Sequence, residues 1–269
     1  MVLRLALLIA IAIAVPLRGA ALFPSPIHLV RQIEEPSTGA KSTVDEYCEG
    51  NRIVSVTRGG TRITIADYAA QELTEIARDR HEYSVTSFAE LARATQDAAR
   101  FEKSQAATTT PASWQTRLLG ARSSLSGRSV DAYEISRPEQ TIEIAFDRSV
   151  PLTRGAAEVL LGGAYPSRRG GEHESMMQAA RGNAGGRAVA SLNTAPADDV
   201  FSLPVEQTVT RRAEGTSVVI RIVVTRIDAA LIPRELLSIE PDAKLVESRL
   251  TRMRRELAAS ETLSSRRQP

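Results

Sequence analysis

One stretch of the sequence decides the fold: NRIVSVTRGGTRITIAD, residues 51–67. Apolar and polar residues alternate on both sides of Gly59-Gly60, and such alternation predicts two half-buried strands. A Gly-Gly pair between strands favours a two-residue hairpin turn, because glycine tolerates positive φ. The resulting register puts the apolar residues on one face of an antiparallel sheet. The predicted pairs are Val56 with Ile63, Val54 with Ile65, and Arg52 with Asp67.

A second hairpin and a helix are predicted next along the chain. Residues 73–77 and 82–85 alternate around a turn at Asp79-Arg80. Ser87 and Glu90 have the spacing of a capping box, in which the hydroxyl and the carboxylate bond the free backbone N–H groups of the first helical turn. The helix is expected to continue to about residues 101–103, and a linker of small residues follows at 105–112.

The second half of the chain is again predicted to be mostly β, with two short helices that end at glycine. In its last hairpin, Val209, Ile220 and Ile222 share a face. The predicted strands are 118–123, 129–135, 141–146, 205–212 and 217–226, with an edge strand at 245–246, and the predicted helices are 154–161 and 172–181.

Both ends of the chain carry signals of a different kind. Arg4, an apolar run to Val15, Pro16 and the small residues 19–21 predict a secretory signal peptide over residues 1–21, and hence a periplasmic or secreted protein. Four further segments are expected: a proline-rich N-terminal segment at 22–43 that is partly ordered at most, one domain at 44–247, a basic amphipathic helix at 248–259, and a disordered tail at 260–269. The basic helix either contacts an anionic membrane surface or packs as an ordinary helix.

Composition excludes some classes of partner. Removing residues 1–21 takes away Arg4 and Arg18, which leaves 32 basic and 32 acidic residues. A balanced chain has no excess of cations to neutralise phosphates, so nucleic acid is not an expected partner. Cys48 is the one cysteine and cannot form an internal disulfide. We expect it to be a buried or half-buried residue without chemistry, while a free thiol or an intermolecular bridge stays open as an alternative.

Motifs for catalysis or for cofactors are missing from the sequence. The three histidines, His28, His81 and His173, have no second histidine or cysteine pair at metal-ligand spacing. No Gly-x-Ser-x-Gly elbow and no phosphate-binding glycine loop occurs. We therefore expect no catalytic residue, no metal and no cofactor, while a hydrolase that uses serine or carboxylates stays open as an alternative.

The order of hairpins and helix resembles the LolA/LppX-like lipoprotein carriers, a group of bacterial exported proteins. The residues that carry the resemblance are Gly50, Arg52, Asp67, Tyr83, Phe88, Pro204 and Pro241. It implies an α+β, mostly β fold: a curved antiparallel sheet, or half-barrel, with helices packed on its concave face. The segment 151–197 is longer and richer in glycine and alanine than the group's pattern.

The resemblance also implies a function, which is to hold a lipid or another hydrophobic ligand between sheet and helices without catalysis. The residues expected to line that site are Val54, Val56, Ile63, Ile65, Ile220 and Ile222. The alternative for each of them is ordinary core packing. A second hypothesis is an envelope structural or interaction protein that binds another protein through the edges of its sheet.

Overall fold

The computed structural model describes residues 21–105, 113–162, 171–181, 200–213 and 216–249, together with residues 251, 252 and 255. Within these ranges the chain forms one twelve-stranded sheet and three α-helices. The strands are β1 Phe23–Glu35, β2 Ala40–Gly50, β3 Arg52–Thr57, β4 Arg62–Asp67, β5 Glu72–Ala77, β6 Glu82–Ser87, β7 Gln115–Ser123, β8 Ser129–Arg137, β9 Gln140–Leu152, β10 Phe201–Ala213, β11 Thr216–Asp228 and β12 Lys244–Leu245. The helices are α1 Phe88–Gln105, α2 Arg154–Gly162 and α3 Gly171–Arg181.

The strand order shows how the two halves of the chain join. Strands β1 to β6 form one antiparallel meander and β7 to β11 a second one, and β1 pairs with β11 in the middle of the sheet. The short β12 pairs in parallel with Glu82 and Tyr83 of β6, at the end of the sheet opposite β7. The sheet is not closed into a barrel, and the predicted α+β half-barrel class is confirmed. Register shifts in β1, β7 and β10 bend these strands.

The main core lies between the sheet and the helices, on the face that we call the inner face. Phe88 and Leu91 of α1, Leu160 of α2 and Met176 of α3 all belong to one cluster with inward residues of the strands. Both α2 and α3 pack on β10. The apolar sides of the helices therefore bury one face of the sheet, as a half-buried antiparallel sheet requires.

The hairpin registers predicted from the sequence are confirmed. Val56 pairs with Ile63 and Arg52 with Asp67, and the Arg52 Nε lies 2.6 Å from the Asp67 carboxylate. The turn between these strands differs from the prediction. The ladder ends at Thr57–Arg62, and a 3₁₀ turn at residues 58–60 makes the loop longer than two residues. Gly59 and Gly60 still supply the positive φ angles, 63° and 92°, that this loop needs.

The N-terminal segment 22–43 is a correction to the sequence-based expectation. Instead of a partly ordered segment, residues 23–35 form β1, which has neighbours on both sides. Pro24 and Pro26 indicated a loop, because proline cannot donate to a ladder. In β1 they fall between Phe23 and Ile27, where the pairing with β2 shifts, so the prolines interrupt no regular part of that ladder.

Several predictions for the chain ends fall outside the described residues. These are the signal peptide apart from Ala21, nearly all of the linker 105–112, and the tail 260–269. Of the predicted helix 248–259, the described residues Arg249, Thr251, Arg252 and Arg255 are helical. None of the helices within the described ranges is long and apolar enough to cross a membrane.

Candidate functional site

The six residues predicted to line one ligand site lie on two faces of the sheet. Successive residues of a strand point to opposite faces. On β3, Ile53 joins the inner core, so its neighbour Val54 points to the other face, which we call the outer face. Four of the six residues share this outer face: Val54, Val56, Ile63 and Ile65. The prediction of a single shared lining does not hold.

The outer-face residues are covered by the chain itself. After β11 the chain crosses the outer face as an irregular strap, residues 229–246, and reaches β6. Ile232 of the strap is buried against Val54, Ile63, Ile65 and Ile76. Its backbone N–H donates to the Glu49 carboxylate at 2.9 Å. These apolar residues form a second, smaller core under the strap.

Ile222 and Ile220 lie on the inner face, where Ile222 pairs with Gln207 and Ile220 with Val209. Ile222 is buried and Ile220 half-buried. A cavity next to Ile222, lined also by Arg31, Leu160 and Val205, has a volume of about 10 Å³. That is about the space of one water molecule and far less than an acyl chain needs. The prediction of an apolar ligand in this part of the sheet therefore gains no support from the space available.

Reactive chemistry is also disfavoured at the cysteine. Cys48 is fully buried on the inner face, as expected from the sequence. Burial raises the pKa of its thiol well above the ordinary value. The thiolate is the nucleophilic form of cysteine, so a buried thiol with a raised pKa is inert at neutral pH. Cys48 acts as a packing residue.

The two edges of the sheet differ in a way that the sequence did not indicate. At one edge, the strap adds β12 to β6, where the Lys244 N–H donates to the His81 carbonyl at 2.8 Å. At the other edge, β7 has a neighbouring strand, β8, on one side only among the described residues. Leu118 and Leu119 of β7 are 50% and 42% exposed. Among the described residues, the strap thus adds a two-residue strand at one edge, while the nine-residue strand β7 at the other edge has a partner on one side only.

The loop after β7 is firmly held against the outer face. The Leu125 N–H donates to the Glu206 carboxylate, and the Arg122 guanidinium lies 2.7 Å from the same carboxylate. Glu206 is buried, which strengthens both contacts because water screens them little. A groove of about 440 Å³ lies between this loop and β1 and β11, and the side chain of Leu125 at its rim is 70% exposed.

In the part of the chain that the structure describes, fold and surfaces together define an α+β half-barrel with a filled inner core, an outer face crossed by the strap, and an edge strand, β7, that is paired on one side only. No family model and no curated protein sequence matches the chain. Membership of the lipoprotein-carrier group therefore stays a prediction, while the half-barrel class rests on the sheet itself.

Solved structures with a slight likeness include MucB in complex with MucA(peri), at a TM-score of 0.38 and 12% identity over 83% of this chain. Two structures of PNGF-II, in the C2 and P21 space groups, have TM-scores of 0.36 and 0.38 and identities of 9% and 10%, each over 83% of this chain. The chain spans 57% of the MucB chain and 31–32% of the PNGF-II chains.

Proposed function

We propose that this protein is an exported, non-catalytic interaction module that binds an extended segment of another envelope protein at the β7 edge. The observation that carries this proposal is that β7, within the described ranges, is paired on one side only. An unpaired strand presents a row of free N–H and C=O groups, and a second chain can add a strand to them. The signal pattern at residues 1–21 supports export, and the lack of catalytic motifs supports binding rather than catalysis.

The side chains of β7 favour pairing with a partner strand of matching shape over pairing with any exposed strand. Arg117 pairs with Glu134 of β8 at 3.2 Å, and Arg122 pairs with Glu206 of β10, so both cations are held by carboxylates of other strands. The register shift between Leu118 and Gly120 bends the strand. A bend and charged residues hinder the pairing of β7 with a flat edge strand of another molecule. A partner strand therefore has to follow the bend. Leu118 and Leu119 then supply the apolar contacts that give such an interface its core.

The experiment places a photo-crosslinking residue at Leu119 in cells that make the protein. We expect one specific protein adduct from this position and none from Val218, an exposed position on the interior strand β11. The edge is then blocked with Leu119→Pro and the crosslinker is moved to Leu118. The register between β7 and β8 shifts at Leu119, and such irregular positions are where a strand tolerates proline, so the adduct is expected to disappear while the fold is kept.

Two outcomes would contradict the proposal. One is an adduct that persists in a Leu119→Pro variant with an unchanged thermal unfolding midpoint. The other is a lipid-sized mass bound one-to-one in native mass spectrometry with no protein adduct at β7, which would favour the apolar-ligand hypothesis instead.

A further inference from the structure

We propose that His81, Glu240 and Asp242 form a binding site for a divalent transition-metal ion of the zinc type. The site lies where the strap meets the β5–β6 turn, and it is independent of the function proposed for β7. In the sequence, His81 is separated from the two acids by about 160 residues, so no ligand spacing revealed it.

The backbone holds the three residues together. His81 follows the turn at Arg78–Arg80 and directly precedes β6. Glu240 and Asp242 lie on the strap just before β12, and the Ala243 N–H donates to the Glu240 carbonyl at 3.0 Å, which closes a turn between them. Bonds from Lys244 N to His81 O and from Val246 N to Tyr83 O, both 2.8 Å, fix this turn beside His81. The placement therefore depends on main-chain bonds.

The distances fit a shared ion. His81 Nδ1 lies 2.9 Å from Glu240 Oε2 and 3.6 Å from Asp242 Oδ2. All three potential ligand atoms lie within 4.8 Å of one another. Ligand atoms at zinc bond lengths around a tetrahedral centre are roughly 3.3 Å apart. The two measured distances bracket that value, so small side-chain rotations are enough to bring the ligands to an ion.

The charges point to a cation. Both carboxylates converge on the same ring nitrogen, and Nδ1 carries at most one hydrogen to donate. Two carboxylates whose oxygens converge on one point repel each other, and this repulsion favours a cation between them. A divalent ion at the common point accepts a lone pair from each ligand and neutralises both carboxylates.

The ligand set indicates the kind of ion. One imidazole nitrogen with two carboxylate oxygens suits zinc and its neighbours, whereas calcium and magnesium prefer oxygen ligands alone. His81 and Asp242 are 62% and 74% exposed, so the ion has free access and a water molecule can complete its coordination. A bound ion would hold the strap against the edge of the sheet, because two of its ligands belong to the strap and the third precedes β6.

The test is calorimetric titration of the tag-free protein, residues 22–269, with zinc chloride. We expect one zinc ion per chain and at least a tenfold weaker affinity in His81→Gln, Glu240→Gln and Asp242→Asn. The matched control is Asp79→Asn, which removes an exposed carboxylate from the same turn and is expected to bind like the wild type. Calcium chloride is expected to give no saturable binding.

A second measurement tests whether the bound ion holds the strap in place. Zinc is expected to slow hydrogen exchange of the Lys244 and Val246 amides in the wild type and to leave Glu240→Gln unchanged. Absence of saturable zinc binding by the wild type would overturn the proposal. So would equal affinity in the wild type and the three ligand variants.

Discussion

At the scale of single residues, a carboxyl group at the start of α3 lies in a place that is unfavourable for a charge. Glu172 is buried, and its Oε1 has no hydrogen-bond partner within the described residues. Burial raises its pKa above the ordinary value, and the nearby Arg211 and Arg137 offset only part of that effect. A carboxyl with a raised pKa in the folded state favours folding while it is protonated.

The sign of the effect gives a prediction for Glu172→Gln. Below the ordinary carboxyl pKa both states hold the proton, and Glu172 costs nothing. As the pH rises through the higher pKa of the folded state, ionisation becomes a cost that glutamine lacks. Thermal unfolding should therefore show Glu172→Gln to be more stable than the wild type at pH 7.5 and equal to it at pH 4. Glu174→Gln, an exposed position on the same helix, should show no such difference, and a parallel pH response of the two variants would contradict the assignment.

At the scale of elements, the start of α1 is the part of the structure that local sequence determined most completely. The Glu90 N–H donates to the Ser87 hydroxyl at 3.2 Å, and the Ser87 N–H donates to the Glu90 carboxylate at 3.2 Å. This is the capping box that the sequence predicts, because both partners lie within three residues. Strand β1 is the opposite case, since its central place depends on β11, far along the chain.

The cap leads to a prediction about stability. Ser87→Ala removes the acceptor for the Glu90 N–H, and such substitutions typically lower the free energy of unfolding by about 1 kcal/mol. For a chain of this size that corresponds to a fall of roughly 2–4 °C in Tm, measured by circular dichroism. Ser87→Thr keeps a hydroxyl and should retain most of the stability. Equal stability of Ser87→Ala and the wild type would show that the box contributes nothing.

At the scale of the whole molecule, β1 links the two halves of the sheet. It pairs with β2 over residues 27–35 and with β11 over residues 28–34. His28 adds polar contacts on both sides: its ring nitrogens lie 3.2 Å from Asp45 and 3.5 Å from Asp228, and the ring stacks on Tyr47. Loss of β1 would leave β2 and β11 as two new edges with nothing between them.

Deletion of residues 22–35 is therefore expected to abolish cooperative unfolding. The control is the chain that starts at residue 22, which should unfold in one transition in urea. The measurement is near-ultraviolet circular dichroism against urea concentration. A cooperative transition in the shorter chain would show that the two meanders fold without their central strand.

The sequence alone determined much of the local structure of this protein: alternation and turn glycines indicated the hairpins and their registers, and the capping box indicated where α1 begins. These features depend on residues a few positions apart. The half-barrel class came from the resemblance to the lipoprotein carriers. Tertiary structure alone decided the central place of β1 and the edge position of β7 in the described sheet. It also decided that the six predicted lining residues lie on two faces, and that His81 lies beside Glu240 and Asp242. Each of these depends on which distant strands and segments come together, and that pairing is fixed by burial across the whole sheet, which no short stretch of sequence encodes.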